Sequence, residues 1–291
     1  TTALAGLTDT QIAALATTQL AALTTTQFSA LSTAAISGLT ATELQSLAST
    51  QLANMTATQI GALSATQAAA LTTSQFGALT ATAIAGLTST AVSALSVSQI
   101  DSLTTTQVAA LSATAISGLT RTEIAAMSQD QLAALSTTQI AGLTETQIAS
   151  LDTSQIAGMN TTQLRALISA AIAGLSVTAI AALSSTQVGS LTATQIAAFA
   201  STQIAALTAD QIGNLSTTAI ASLSSSQLGA LTTTQTAALT TTQLAALSAT
   251  AASGLTTADL QTLTTTQLAA LTSTALGSLT TSQIAGLTTG Q

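Results

Sequence analysis

The chain contains no cysteine, histidine, proline, tryptophan, tyrosine or lysine. Its 291 residues include two arginines, nine acidic residues and three phenylalanines. Each gap removes a class of chemistry. Without His, Cys, Lys or Tyr, four of the usual general acid/base and nucleophile types are missing. No thiolate or imidazole is present to hold zinc, copper or haem. Two arginines and a net charge of −7 cannot supply the cationic footprint that nucleic-acid binding needs. Zero cysteine leaves the redox compartment open. Charged residues make up 4% of the chain, against about a quarter in an ordinary soluble domain. The composition points to a structural material, not an enzyme: no catalytic, cofactor-binding or metal-binding residues, no cofactor and no small-molecule substrate are expected.

Mean hydropathy is high, at +0.60, yet Thr, Ser or Gln interrupts the apolar residues every few positions. The most apolar stretch, Ala166 to Leu175, contains Ser169 and is about half the length of a transmembrane helix. A hydrophobic content of 47% is too high for a chain unable to bury a core, which argues against disorder. No signal peptide is visible and the first residue is Thr1, so the chain is expected to be processed or a segment of something longer.

What is present is an eight-residue repeat. A large apolar residue stands at 7, 15, 23 and every eighth position to 287, giving 36 positions. Thirty-two are Leu; the others are Met55, Met127, Met159 and Phe199. Three residues before each comes Ile, Leu, Val or Phe, except at Ala68, Thr236 and Ala252. The two residues between are mostly Ala, Gly or Ser. Directly after the Leu comes Thr, Ser, Asp or Asn in 32 of 36 cases, broken by Ala16, Ala48, Ile168 and Ala200. Three residues later stands Gln or Glu in 26 cases, Ala in nine and Asp259 in one. There is no linker or shift in composition, so residues 1–291 are expected to form a single uninterrupted array.

This pattern writes a helix start once per octad. Ser/Thr-x-x-Gln/Glu is the capping box, in which the hydroxyl accepts from the N3 amide and the N3 side chain reaches back to the cap's own N–H. With Thr8 as cap, Gln11 is N3, Ile12 is N4 and Leu7 is N′, and an apolar N′ packs on N4 as a hydrophobic staple. A continuous helix is disfavoured, because eight residues in two turns demand 4.0 per turn. On a straight helix the Leu stripe would drift by about 80° per repeat. The expectation is an all-α, compact solenoid of capped helices of roughly five to seven residues, too short to survive unless stacked. A β-solenoid is the alternative, since Thr and Ile favour strands and axial repeats suit stacked ladders. Apolar spacings of three and five fit it poorly.

All eleven charged residues avoid the Ile site, the Leu site and the small residue before Leu. Asp9, Arg121 and Glu145 follow the cap; Asp101 and Arg165 follow the Ile site. Glu43, Glu123 and Asp259 stand at N3, Asp130 and Asp210 at N2, and Asp152 is itself a cap. These carboxylates read as caps and solvated surface, helped by the positive end of each helix dipole. Glu123 with Asp130, or Glu145 with Asp152, could share a cation only without the oxygen-rich loop that calcium uses. The three methionines read as core filler. Fifteen of the sixteen glycines lie at the small sites, where they allow close coil-to-coil approach or close a helix.

An array with one unslipped period makes a rod whose surface is Thr, Ser and Gln, with very few cut sites for trypsin-like proteases. The repeat runs to both ends without a polar capping repeat. Either the array continues, or bare ends stack head to tail on other copies into a fibre. The expected function is a structural subunit or segment of an extracellular or cell-surface filament, with copies of itself as partner. The units Leu103 to Leu111 and Leu239 to Leu247 resemble octad arrays of giant secreted or surface proteins of Gram-negative bacteria. That resemblance implies export and a stalk, adhesive or matrix role, and it transfers no functional residue. Two rivals remain. One is a passive stalk or spacer of a large bacterial adhesin. The other is an ice-binding protein using Thr arrays, whose uniformity Asp9, Val97, Arg121, Gln129 and Glu145 interrupt.

Overall fold

The computed structural model describes Leu4 and residues 6–291. Among these the chain is helical and contains no strand, so the β-solenoid alternative is set aside. Thirty-five helices run from Asp9–Ile12 to Thr281–Ala285, one per octad and each four to six residues long. They are a little shorter than the expected five to seven because the Leu and the cap both leave helical geometry. Leu47 has φ −71° and ψ 139°, and the following cap Ala48 has φ −68° and ψ 147°. Two consecutive residues near polyproline II geometry turn the chain from one helix to the next. The Leu N–H still bonds three residues back, as from Leu63 to the Ile60 oxygen at 3.1 Å, closing the last turn in 3₁₀ fashion.

The chain divides into two compact units, Thr1–Ser150 and Leu151–Gln291. In the first, Ala81–Ile84 packs on Ala57–Gly61 before it and on Thr105–Ala110 after it. In the second, Ala249–Ala252 packs on Ser225–Leu228 and on Ser273–Gly277. Within each unit a helix therefore stacks on the third before it and the third after it. Three octads, or 24 residues, make one coil of an all-α solenoid.

The core of each unit is the Ile and Leu sites of successive coils. Ile36, Leu44, Ile60 and Val108 are fully buried in the first unit, and Leu164, Ile196 and Leu244 in the second. Burying such a side chain contributes roughly 1.5–3 kcal/mol, which short helices need because they have almost no intrinsic stability. Met55, Met127, Met159 and Phe199 are buried where Leu usually stands. No described helix is long and apolar enough to cross a membrane.

Candidate functional site

The features that set this chain apart lie between coils, and they begin at the helix starts. Thr56 shows the full capping box: its Oγ1 accepts from the Gln59 N–H at 3.2 Å, and Gln59 Oε1 accepts from the Thr56 N–H at 2.9 Å. Asp152 and Asn160 cap in the same way. At Ala16, Ala48 and Ala200 no side-chain acceptor exists, and half a box remains. Gln19, Gln51 and Gln203 accept from the cap N–H at 2.8, 3.0 and 2.7 Å. Helix Ser169–Ile172, with Ile168 as cap and Ala171 at N3, has no cap side-chain bond.

The other end of the glutamine has a second task that the octad alone does not announce. Gln51 Nε2 donates to the Leu20 oxygen at 3.0 Å and the Leu23 oxygen at 2.9 Å, 31 and 28 residues back. Gln75 donates to Leu44, Gln45 and Leu47 oxygens at 3.0, 3.0 and 2.9 Å. In the second unit Gln195 reaches Leu164 and Leu167 oxygens at 2.8 and 2.7 Å. Gln243 reaches Ile212 and Leu215 oxygens at 2.9 and 2.8 Å. These acceptors lie at the end of a helix in the coil beneath. One is an Ile-site oxygen that already takes the Leu N–H three residues on, as Leu44 does from Leu47 at 3.2 Å; another is the oxygen of that Leu, past the helix's own bonds. One amide thus closes the start of its own helix and the end of a neighbour's.

Three consequences correct or complete the sequence reading. First, N3 is not a wet position once a coil lies beneath it: Gln139 and Gln211 are 2% and 1% exposed. Glu43, Glu123 and Asp259, expected on solvated surface, are buried between coils. Gln11 and Gln19, in the first described coil, are exposed. Second, glycine is used for approach and not as a left-handed helix stop, since no described residue has positive φ. A Cβ on Gly86 would lie 1.9 Å from the Ala57 oxygen, and one on Gly254 2.1 Å from that of Ser225. Third, the remaining eight charged residues (Asp9, Asp101, Arg121, Asp130, Glu145, Asp152, Arg165 and Asp210) are exposed, as expected. Glu123 is thus buried while Asp130 is exposed, and Glu145 and Asp152 lie at N1 and cap positions of the two different units.

Among the exposed acids, Asp152 is held below the usual carboxylate range. The Ser154 hydroxyl donates to its Oδ1 at 2.6 Å and the Gln155 N–H donates at 2.8 Å, both favouring the ionised form. A cleft of about 300 Å³ in the second unit is lined by Arg165, Ser190, Thr192, Ser216 and Thr218 among others. Its hydroxyls stand beside no general base. Among the described residues no group of three His, Cys, Asp or Glu side chains gathers in a metal-binding arrangement.

What these features define is an all-α solenoid of capped octads clipped together by glutamine amides. The chain is similar to a family described as the ALTTAQ repeat, matched at residues 124–161, 156–193, 213–241 and 253–289, just under half of its length. No curated protein matches it. Among solved structures, the leucine-rich repeat-containing protein LegL7 from Legionella pneumophila shares 13% identity over 77% of this chain and 79% of that one. The TM-score is 0.17, too low to indicate a common fold.

Proposed function

We propose that this protein is a non-catalytic structural element of an extracellular filament or cell-surface fibre. The observation that supports the reading most is the polarity of the coil. Each coil offers helix-end carbonyls on one side and glutamine amides on the other, as Gln139 does toward Val108 and Leu111 at 2.9 and 2.7 Å. Such a unit adds to its own kind without limit, within one chain or between copies, which is the open head-to-tail geometry of a fibre. The surface suits a medium rich in proteases: almost no basic residues and abundant Thr and Ser. The likeness to repeat arrays of giant exported bacterial proteins points the same way.

Negative-stain microscopy of the purified protein tests self-assembly. Rods that lengthen with concentration are expected; monodisperse short particles across a wide concentration range sink it and leave the passive spacer. Ice binding has one observation in its favour. Thr18, Thr42, Thr66, Thr90, Thr114 and Thr138 form an unbroken exposed row in the first unit, one per coil. Thermal hysteresis at modest protein concentration would turn the reading toward that function.

A further inference from the structure

In an array of 36 similar octads the apolar pattern does not say which octad stacks on which. Sliding a coil by eight residues sets Leu over Leu again, and glutamine over carbonyls again. In coiled coils a single buried polar residue resolves this degeneracy, and in sheets a weakly specified register invites slippage.

The second unit contains one buried polar pair built from two departures from the repeat. Thr236 is the only polar residue at the Ile site anywhere in the chain, and it is fully buried. Asp259 is the only Asp at N3, and it is 1% exposed. They stand 23 residues apart, and Thr236 Oγ1 donates to Asp259 Oδ1 at 3.1 Å. Asp259 Oδ2 meanwhile keeps the capping box, accepting from the Thr256 N–H at 2.8 Å and from its hydroxyl at 2.6 Å. A glutamine here would send its amide to carbonyls 28 and 31 residues back. Aspartate is one methylene shorter and has no amide hydrogen, so its outer oxygen takes the hydroxyl instead. Each N3 residue from Gln27 onward has one Ile site lying 23 positions before it. Independent placement would bring the lone Asp opposite the lone inward Thr in about one arrangement in 36.

We propose that Thr236 and Asp259 form a register lock, a pair whose bond makes one stacking of these coils unique. A slip of one octad would set Asp259 against Leu228 or Leu244, and Thr236 against Ala251 or Gln267. The buried Oδ1 would lose its donor while Oδ2 kept those of Thr256, an unfavourable outcome for a buried carboxylate. The double variant Thr236→Ile with Asp259→Gln restores the commoner residues at both sites, so it retains every element the repeat needs to fold.

The test uses the full chain with cysteines placed at Thr242 and Thr266, both exposed and one coil apart. The chain has no other cysteine to compete for spin labels. After unfolding and refolding, pulsed dipolar spectroscopy should give one distance for the otherwise natural chain and a second population for the double variant. Each single variant should lower the thermal midpoint by about 3–6 °C, and the double variant should recover most of that loss. One unchanged distance in the refolded double variant, or single-variant losses that simply add, would overturn the lock.

Discussion

Helix Ala57–Gly61 meets the coils on its two sides by different means. Toward the coil beneath, Gln59 extends its amide to the Phe28, Ser29 and Leu31 oxygens at 3.4, 3.2 and 2.9 Å. Toward the coil above, the partner helix Ala81–Ile84 has Ala83 in place of the glutamine, and Gly86 comes down until a Cβ would meet the Ala57 oxygen at 1.9 Å. Gly38, Gly118 and Gly254 share this arrangement of alanine at N3 and glycine before Leu, with corresponding approaches of 2.3, 2.4 and 2.1 Å. Gly142, which follows Gln139, shows a wider 3.2 Å to the Ala113 oxygen. Glutamine therefore acts as a strut as well as a donor. At these four octads, where it is absent and glycine precedes Leu, the next coil settles closer than a Cβ would allow.

The sharpest way to break this comparison is Gly86→Ala. The new methyl would press on backbone that cannot swing aside, and a loss of about 3 kcal/mol or more is expected in chemical denaturation. Gly277→Ala is its control: nothing lies within 4 Å of the added Cβ. That helix-end substitution should be neutral or stabilise by up to about 1 kcal/mol. Equal losses at both sites would show that close approach is not what selects glycine.

A smaller effect is expected on the strut side. Gln211→Glu keeps the oxygen that serves the box at Thr208 (2.7 Å) but removes the hydrogens offered to the Ile180 and Leu183 oxygens at 3.1 and 2.6 Å. The loss should be about 1–3 kcal/mol. The reverse change, Glu123→Gln, should gain about 1 kcal/mol by supplying the amide that this octad lacks. Thermal unfolding followed by circular dichroism measures both, and a neutral Gln211→Glu would remove the strut from the account.

The smallest effect concerns pH. Asp152 binds its proton less readily when folded than when unfolded. The unfolded chain therefore takes up more protons in the window just below the ordinary carboxylate range, and stability rises with pH there. The contribution is complete above the unfolded value and lost as pH falls through the lower folded one. Asp152→Asn should keep the cap, as Asn160 does, and flatten that part of the stability profile. An unchanged acid limb would assign the dependence to other carboxylates.

Much of this architecture was legible in the octad. Thr8, Gln11 and Ile12 state a cap, its partner and a core residue, and the helices begin where they say. The 24-residue coil was not, because a period of eight fits two, three or four helices per turn equally well. The angle at each Leu–Thr junction decides, and no single residue type sets it. The ladder had left one trace. A capping box accepts Glu as readily as Gln, and the helix dipole favours Glu, yet the chain has 24 Gln and two Glu at N3. That imbalance required a second use for the amide hydrogens. The burial of Glu43 and Glu123 was missed for the same reason, since a lone octad makes N3 look exposed.

The ladder also sets an order of events. Gln67 reaches the Leu39 oxygen at 2.7 Å and the Ile36 oxygen at 3.1 Å, so its reach spans 28 to 31 residues. As a chain lengthens from its N-terminus, the helix ends of one coil stay unsealed until the glutamines of the next arrive, and are completed as soon as they do. No bond of the ladder waits for anything farther along. Contacts of such constant, short sequence separation let folding keep step with the growing chain, whatever its final length.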